Sequence, residues 1–189
     1  TTRDIPVSIV GGGTLTLDNA FAAGFEHVAL CMGAGKPTLI EVPGSMARGV
    51  RQASDFLMAL QLTGAAKKDS LANLELRLPV VVIGGGLTAI DTATEALAYY
   101  PVQVEKFLTR YESLGDTIRT SWTAEETAVA DTFIAHARAL RAAASAAERM
   151  KLLNSWGGVT LAYRRAITEA PSYTLNHEEI ALALEEGIH

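Results

Sequence analysis

The run Leu78-Pro79-Val80-Val81-Val82-Ile83, broken at once by Gly84-Gly85-Gly86, constrains this chain more than any other stretch. Its β-branched residues do not alternate with polar ones, so it reads as a strand covered on both faces, the pattern of a parallel sheet. A helix is expected from about Leu87 to Tyr99, ended by Pro101, because a proline ring has no N–H to continue the ladder. The next strand signal is Val159-Thr160-Leu161-Ala162-Tyr163. Roughly 55 residues separate the end of that helix from this strand, far more than an ordinary αβ connection. That interval is itself helical in pattern. Thr123 and Glu126 have the spacing of a capping box, and Val129, Phe133, Ala137, Leu140 and Ala144 mark one apolar face. It therefore reads as a helical insertion at about 100–155, with Trp122 and Trp156 as packing anchors. A last helix is expected over His177–Glu186, stopped by Gly187.

Upstream, Ile5–Val10 is β-rich and leads into Gly11-Gly12-Gly13. A short helix follows, with Asp18 as its expected N-cap and Gly24 as its stop. His27–Met32 resembles a buried strand, inside which Cys31 is a small core residue, and Gly33-Ala34-Gly35 follows it. Val50, Ala53, Phe56, Leu57 and Leu60 fall at helical spacing, and the polar Lys67-Lys68-Asp69-Ser70 reads as a linker. The expected organisation is a 1–70 segment and a 71–189 domain, together an α/β protein.

Composition narrows the chemistry. Of 189 residues 49% are hydrophobic and 20% charged, the balance of a folded protein. No apolar run reaches the roughly 20 residues of a membrane helix. A net charge of −5 argues against nonspecific binding of a phosphate backbone. With Cys31 as its one cysteine, the chain can hold no intrachain disulfide, cysteine-only zinc site or iron–sulfur cluster of its own. His27, His136, His177 and His189 show no metal-ligand spacing, and no residue set reads as catalytic. Thr1-Thr2-Arg3-Asp4 has no leader pattern and the α/β pattern breaks off at Ile188-His189, so the expectation is a cytoplasmic fragment of a longer protein.

The chemistry sits at the glycine turn. Gly84-x-Gly86-x-x-Ala89 opens a helix rich in small residues, Ala89, Ala93 and Ala96. The first glycine permits the bend, the second lets a pyrophosphate reach the backbone, and Ala89 allows helix and strand to pack closely. The helix start offers unpaired N–H groups and positive dipole potential to an anion. A plain tight turn would use the same glycines. After the second strand, where an NAD site places a carboxylate on the ribose, stand Arg164-Arg165, whose guanidinium forks suit a 2′-phosphate. NADPH is therefore preferred over NADH. The first triplet, Gly11–Gly13, fails the same spacing rule because Thr16 stands where a small residue is needed.

Gly84-Gly85-Gly86-Leu87-Thr88-Ala89-Ile90-Asp91, Tyr163-Arg164-Arg165, His177-Glu178-Glu179 and Glu185-Glu186-Gly187-Ile188 together resemble the NADPH domain of the small (β) subunit of glutamate synthase and related flavoprotein oxidoreductases. Gly24–Leu30, Gly33–Pro37 and Asp55-Phe56-Leu57 are similar to the stretch that precedes that domain. The resemblance implies a Rossmann-like parallel-sheet NAD(P)-binding domain with a helical insertion, joined to part of an FAD domain. It implies hydride transfer from NADPH to FAD, with electrons passing on to iron–sulfur clusters and a partner electron-acceptor subunit. Gly84–Ala89 and Asp91 would surround the pyrophosphate, Arg164 and Arg165 the 2′-phosphate, and Gly33, Ala34 and Gly35 would lie on the flavin side. A noncatalytic module that binds a partner through the insertion is the alternative reading.

Overall fold

The computed structural model describes residues 16–29, 40 and 42–189. The chain divides into two compact units, Thr1–Ile40 and Glu41–His189, so the Lys67–Ser70 stretch lies inside the second. Within the first unit the described element is helix α1 (Leu17–Ala22). Thr16, not Asp18, caps it: its hydroxyl accepts from the Asn19 N–H at 3.2 Å, and Gly24 follows the helix at φ +93°. Gly11–Gly13, Cys31 and the Gly33-Ala34-Gly35 turn lie outside the described residues.

The second unit runs α2 (Ala53–Leu62), β1 (Val80–Ile83), α3 (Leu87–Leu114), α4 (Ala124–Ala142), α5 (Ala146–Ser155), β2 (Val159–Ala162) and α6 (Pro171–Glu185). The two strands pair in parallel, Val80 opposite Val159 through Ile83 opposite Ala162, and the three helices α3 to α5 make the crossover that a parallel pair requires.

The expected Rossmann-like α/β domain is overturned. The described residues are mostly helical, 60% of them in helix, and among them the sheet has two strands. Nor is β1 covered on both faces. Val82 is buried beneath α3, but Val81 and Ile83, pointing the other way, are 61% and 59% exposed. A doubly wound sheet needs helices on both sides, and here they pack on one. What replaces the missing layer is a helical core. The 28-residue α3 runs straight through Pro101, and its buried residues include Tyr99, Tyr100, Val104, Leu108 and Tyr111. Losing one backbone hydrogen bond at Pro101 is outweighed by burial on either side of it.

Helix α4 begins at the capping box expected from sequence: the Thr123 hydroxyl accepts from the Glu126 N–H at 3.2 Å, and Glu126 accepts from the Thr123 N–H at 2.7 Å. Its stripe Phe133, Ala137 and Leu140, with Ile134, is buried, and α4 packs along α3. Phe133 meets Tyr100 and Phe107 edge-on, at centroid distances of 6.1 and 5.7 Å. Trp156 does anchor the far end: its indole stacks on His136 at 3.6 Å, and His136 Nδ1 lies 2.6 Å from the Tyr100 hydroxyl. Burial holds the Tyr100 phenol well above its ordinary pKa. Trp122 packs beside Phe107 and Tyr111 under the Arg119 guanidinium.

After turns over 63–69 the chain runs without regular structure from Ala72 to Arg77 and alternates, with Ala72, Leu74, Leu76 and Leu78 turned toward the core. Among the described residues no strand pairs with it. Its hydrogen bonds go instead to one stripe of α3. Tyr99 Oη accepts from the Leu74 N–H at 2.8 Å, and Gln103 exchanges two bonds with the Leu76 backbone, both 2.7 Å. The Lys106 ammonium donates to the Ala65 and Ala72 carbonyls, each at 2.8 Å, and Arg110 donates to the Ser70 carbonyl at 2.5 Å. Spacings of three and four residues put all four side chains on one helix face.

Candidate nucleotide-binding site

The carboxyl ends of β1 and β2 define the site. Because Ile83 lies opposite Ala162, parallel pairing brings the Gly84-Gly85-Gly86 turn and the Tyr163-Arg164-Arg165 segment to the same edge of the sheet. The Gly84 N–H donates to the Ala162 carbonyl at 3.0 Å, closing the ladder where the turn begins.

Each glycine meets a different surrounding. Gly84 sits at φ +156°, and a Cβ there would lie 3.0 Å from the Ala89 methyl, so the close strand–helix approach needs both small residues. A Cβ on Gly85 would lie 2.6 Å from the Tyr163 ring, which covers this residue. A Cβ on Gly86 would meet nothing within 4 Å. Gly86 is thus the open point of the turn.

Helix α3 starts there without help from side chains. Gly86 is its N-cap, no side chain caps it, and its first turn has no acidic residue. Among the described residues the N–H groups of Gly85, Gly86, Leu87 and Thr88 find no acceptor, and the first to bond is that of Ala89, to the Gly86 carbonyl at 3.0 Å. Leu87, Thr88 and Asp91 are exposed. Four successive unpaired amides with an uncompensated helix dipole form a local positive potential suited to an anion.

Arg164 and Arg165 are exposed just beyond β2, and neither is in an ion pair among the described residues. The structure therefore brings Gly84–Ala89 and Asp91 to one end of the sheet with Arg164 and Arg165. One participant escapes a reading of the sequence. Ser172, 87 positions from Gly85, is 2% exposed, and both its hydroxyl and its N–H donate to the Gly85 carbonyl, at 2.8 and 3.1 Å. Nothing in the local pattern around Ala170-Pro171-Ser172 signals that contact.

Elsewhere, a cleft of about 260 Å³ between α3 and α4, lined by Arg77, Leu78, Tyr100, Glu125, Val129 and Phe133 among others, shares no residue with the turn. Its two charged residues bond each other, Arg77 Nη2 to Glu125 at 3.1 Å. Among the described residues no group of three or more histidine, cysteine and acidic side chains could hold a metal ion, and no helix is long and apolar enough to cross a membrane. Of the apolar stripe expected for the insertion, Phe133, Ala137 and Leu140 are buried within the chain's own core, Val129 is half-buried, and Ala144 lies exposed beyond the end of α4.

The chain is 43% identical over 178 residues to the uncharacterized protein RP006 of Rickettsia prowazekii (strain Madrid E). The alignment takes in 94% of this chain and 24% of that protein, so the chain spans about a quarter of the length of this relative. No family profile and no solved structure matches the chain.

Proposed function

We propose that this chain is the NADPH-binding portion of a longer flavin-dependent oxidoreductase, similar to the small subunit of glutamate synthase. One observation carries the reading: the open turn at Gly86, with its unpaired amides, shares a sheet edge with Arg164 and Arg165. The reading does not need a doubly wound sheet. An anion cradle of this kind requires one strand, a glycine turn and a helix start, all of which β1 and α3 supply.

In this proposal the amides of Gly85–Thr88 bond the pyrophosphate, and Arg164 and Arg165 pair with the 2′-phosphate through charge-assisted hydrogen bonds. The nicotinamide, when bound, supplies a hydride to FAD. The chain's own part is to bind and orient the dinucleotide, and it needs no acid or base for that. Any flavin contact from Gly33, Ala34 and Gly35 lies outside the described residues. A partner acceptor subunit would take the electrons onward. The single cysteine supports a cytoplasmic setting for such a protein.

The test is a titration of NADPH and NADH against the wild-type chain, Gly86→Ala and the pair Arg164→Ala with Arg165→Ala. The wild type should prefer NADPH, and the arginine pair should lose that preference by roughly 10–100-fold, the worth of hydrogen bonds to a charged group. Gly86→Ala has room for its methyl, so it should fold normally and weaken both nucleotides. Equal affinities in the wild type, or no effect of the arginine substitutions, would overturn the proposal.

A further inference from the structure

We infer that Ser172 is a positioning residue for the dinucleotide: it fixes the peptide between Gly85 and Gly86 so that the Gly86 N–H faces the bound phosphates. The inference rests on the reading of the glycine turn given above. The Gly85 carbonyl receives two donors from one residue, the Ser172 hydroxyl at 2.8 Å and the Ser172 N–H at 3.1 Å. A trans peptide is planar, with its C=O and N–H pointing in opposite directions. Holding the carbonyl against the start of α6 therefore aims the Gly86 N–H away from α6. Among the described residues that N–H has no acceptor, and the space beside Gly86 is open.

The supporting geometry is buried and rigid. Ser172 is 2% exposed and follows Pro171, the first residue of α6. The N–H groups of a helix's first turn have no intrahelical partner, so the Ser172 amide is available without loss to α6. The Tyr163 ring covers Gly85. Glycine peptides flip easily because no side chain restrains them, and a turn of three glycines would otherwise lose backbone freedom on each binding event. Ser172 removes that cost beforehand, which is preorganisation.

Ser172 acts on the pyrophosphate end, common to both nucleotides, whereas the arginines act on the 2′-phosphate alone. Ser172→Ala should therefore weaken NADPH and NADH together, roughly three- to tenfold, the worth of a neutral hydrogen bond, and leave their ratio at the wild-type value. Ser172→Cys, close in size with a weak donor, should fall between serine and alanine. In two-dimensional NMR of the nucleotide-free chain, the Gly86 amide should be a single sharp resonance in the wild type and broadened in Ser172→Ala. Wild-type affinity in Ser172→Ala, a changed NADPH-to-NADH ratio, or an unaltered Gly86 resonance would overturn the role of Ser172 alone. Failure of the wild type to bind either nucleotide would instead overturn the reading of the site, and this role with it.

Discussion

Gln103 and Leu76 exchange two hydrogen bonds across 27 residues of sequence: the Gln103 side-chain carbonyl accepts from the Leu76 N–H, and its amide donates to the Leu76 carbonyl, both at 2.7 Å. Gln103 is fully buried. A primary amide mimics a neighbouring strand here, with one donor and one acceptor facing the backbone's own pair. Gln103→Ala would strand both groups of Leu76 and open a gap beside α3. It should cost about 2–4 kcal/mol, read as a drop in the urea midpoint at unchanged slope.

A contrasting expectation holds for Arg141. Its guanidinium makes ion pairs with Glu105 at 2.8 Å and Glu112 at 3.0 Å, linking α4 to α3 on a half-exposed surface. Solvent screens these charges and ordering the side chains opposes them. Arg141→Ala should therefore stay within about 1 kcal/mol of wild type, with the difference shrinking in added salt. If it cost more than Gln103→Ala in the same denaturation series, the ranking of buried amide over surface ion pair would be wrong.

His136 gives the protein a pH dependence of predictable sign. Burial against Trp156 and Tyr100 lowers its pKa below the ordinary histidine value. The unfolded chain then takes up a proton more readily than the folded one. Stability should be fully present above about pH 6.5 and decline as pH falls through that value toward the depressed folded pKa. Comparing urea midpoints from pH 8 to pH 5, His136→Gln should flatten this slope; an equal slope would show that other groups carry it.

Phe133 joins α4 to α3 through edge contacts with both Tyr100 and Phe107. Phe133→Ala should cost about 3–5 kcal/mol, as for a large aromatic removed from a packed core. Loss of near-ultraviolet circular dichroism from the surrounding tyrosines and tryptophans is the companion measurement.

Gly85→Ala and Gly86→Ala separate packing from binding. A methyl at Gly85 meets the Tyr163 ring at 2.6 Å, so that ring must move and thermal stability should fall by several degrees. A methyl at Gly86 meets nothing within 4 Å, and its melting temperature should stay close to that of the wild type. Thermal denaturation of the two variants side by side decides the matter.

Local signals read well from sequence, and long-range ones did not. The β-branched runs at Val80–Ile83 and Val159–Ala162 form strands, and the Thr123–Glu126 box starts α4, because each depends on a few adjacent residues. Pro101 misleads, since the burial of Tyr99, Tyr100, Gln103 and Val104 around it outweighs one lost hydrogen bond. The alternation of Ala72, Leu74, Leu76 and Leu78 has no place in the sequence reading, which sets a linker at the neighbouring Lys67–Ser70. A strand-like segment that bonds helix side chains has no sequence signature of its own. The valine run predicts a strand covered on both faces, yet the strand is covered on one, because a β-branched run carries no record of which face a helix reaches. The glycine turn and the arginines are legible as strand-end segments, which the parallel pairing brings to one end of the sheet, while the Ser172 contact with Gly85 is seen only in the folded chain.

The grip of α3 on the 65–76 segment also sets what can vary. Tyr99, Gln103, Lys106 and Arg110 hold carbonyls and amides, which every residue type except proline carries alike. The outward Leu71 is therefore free to drift, whereas the Asn73 side chain accepts from the Tyr99 hydroxyl at 3.1 Å and Glu75 pairs with Arg77; the path of the segment is written in the helix that clasps it.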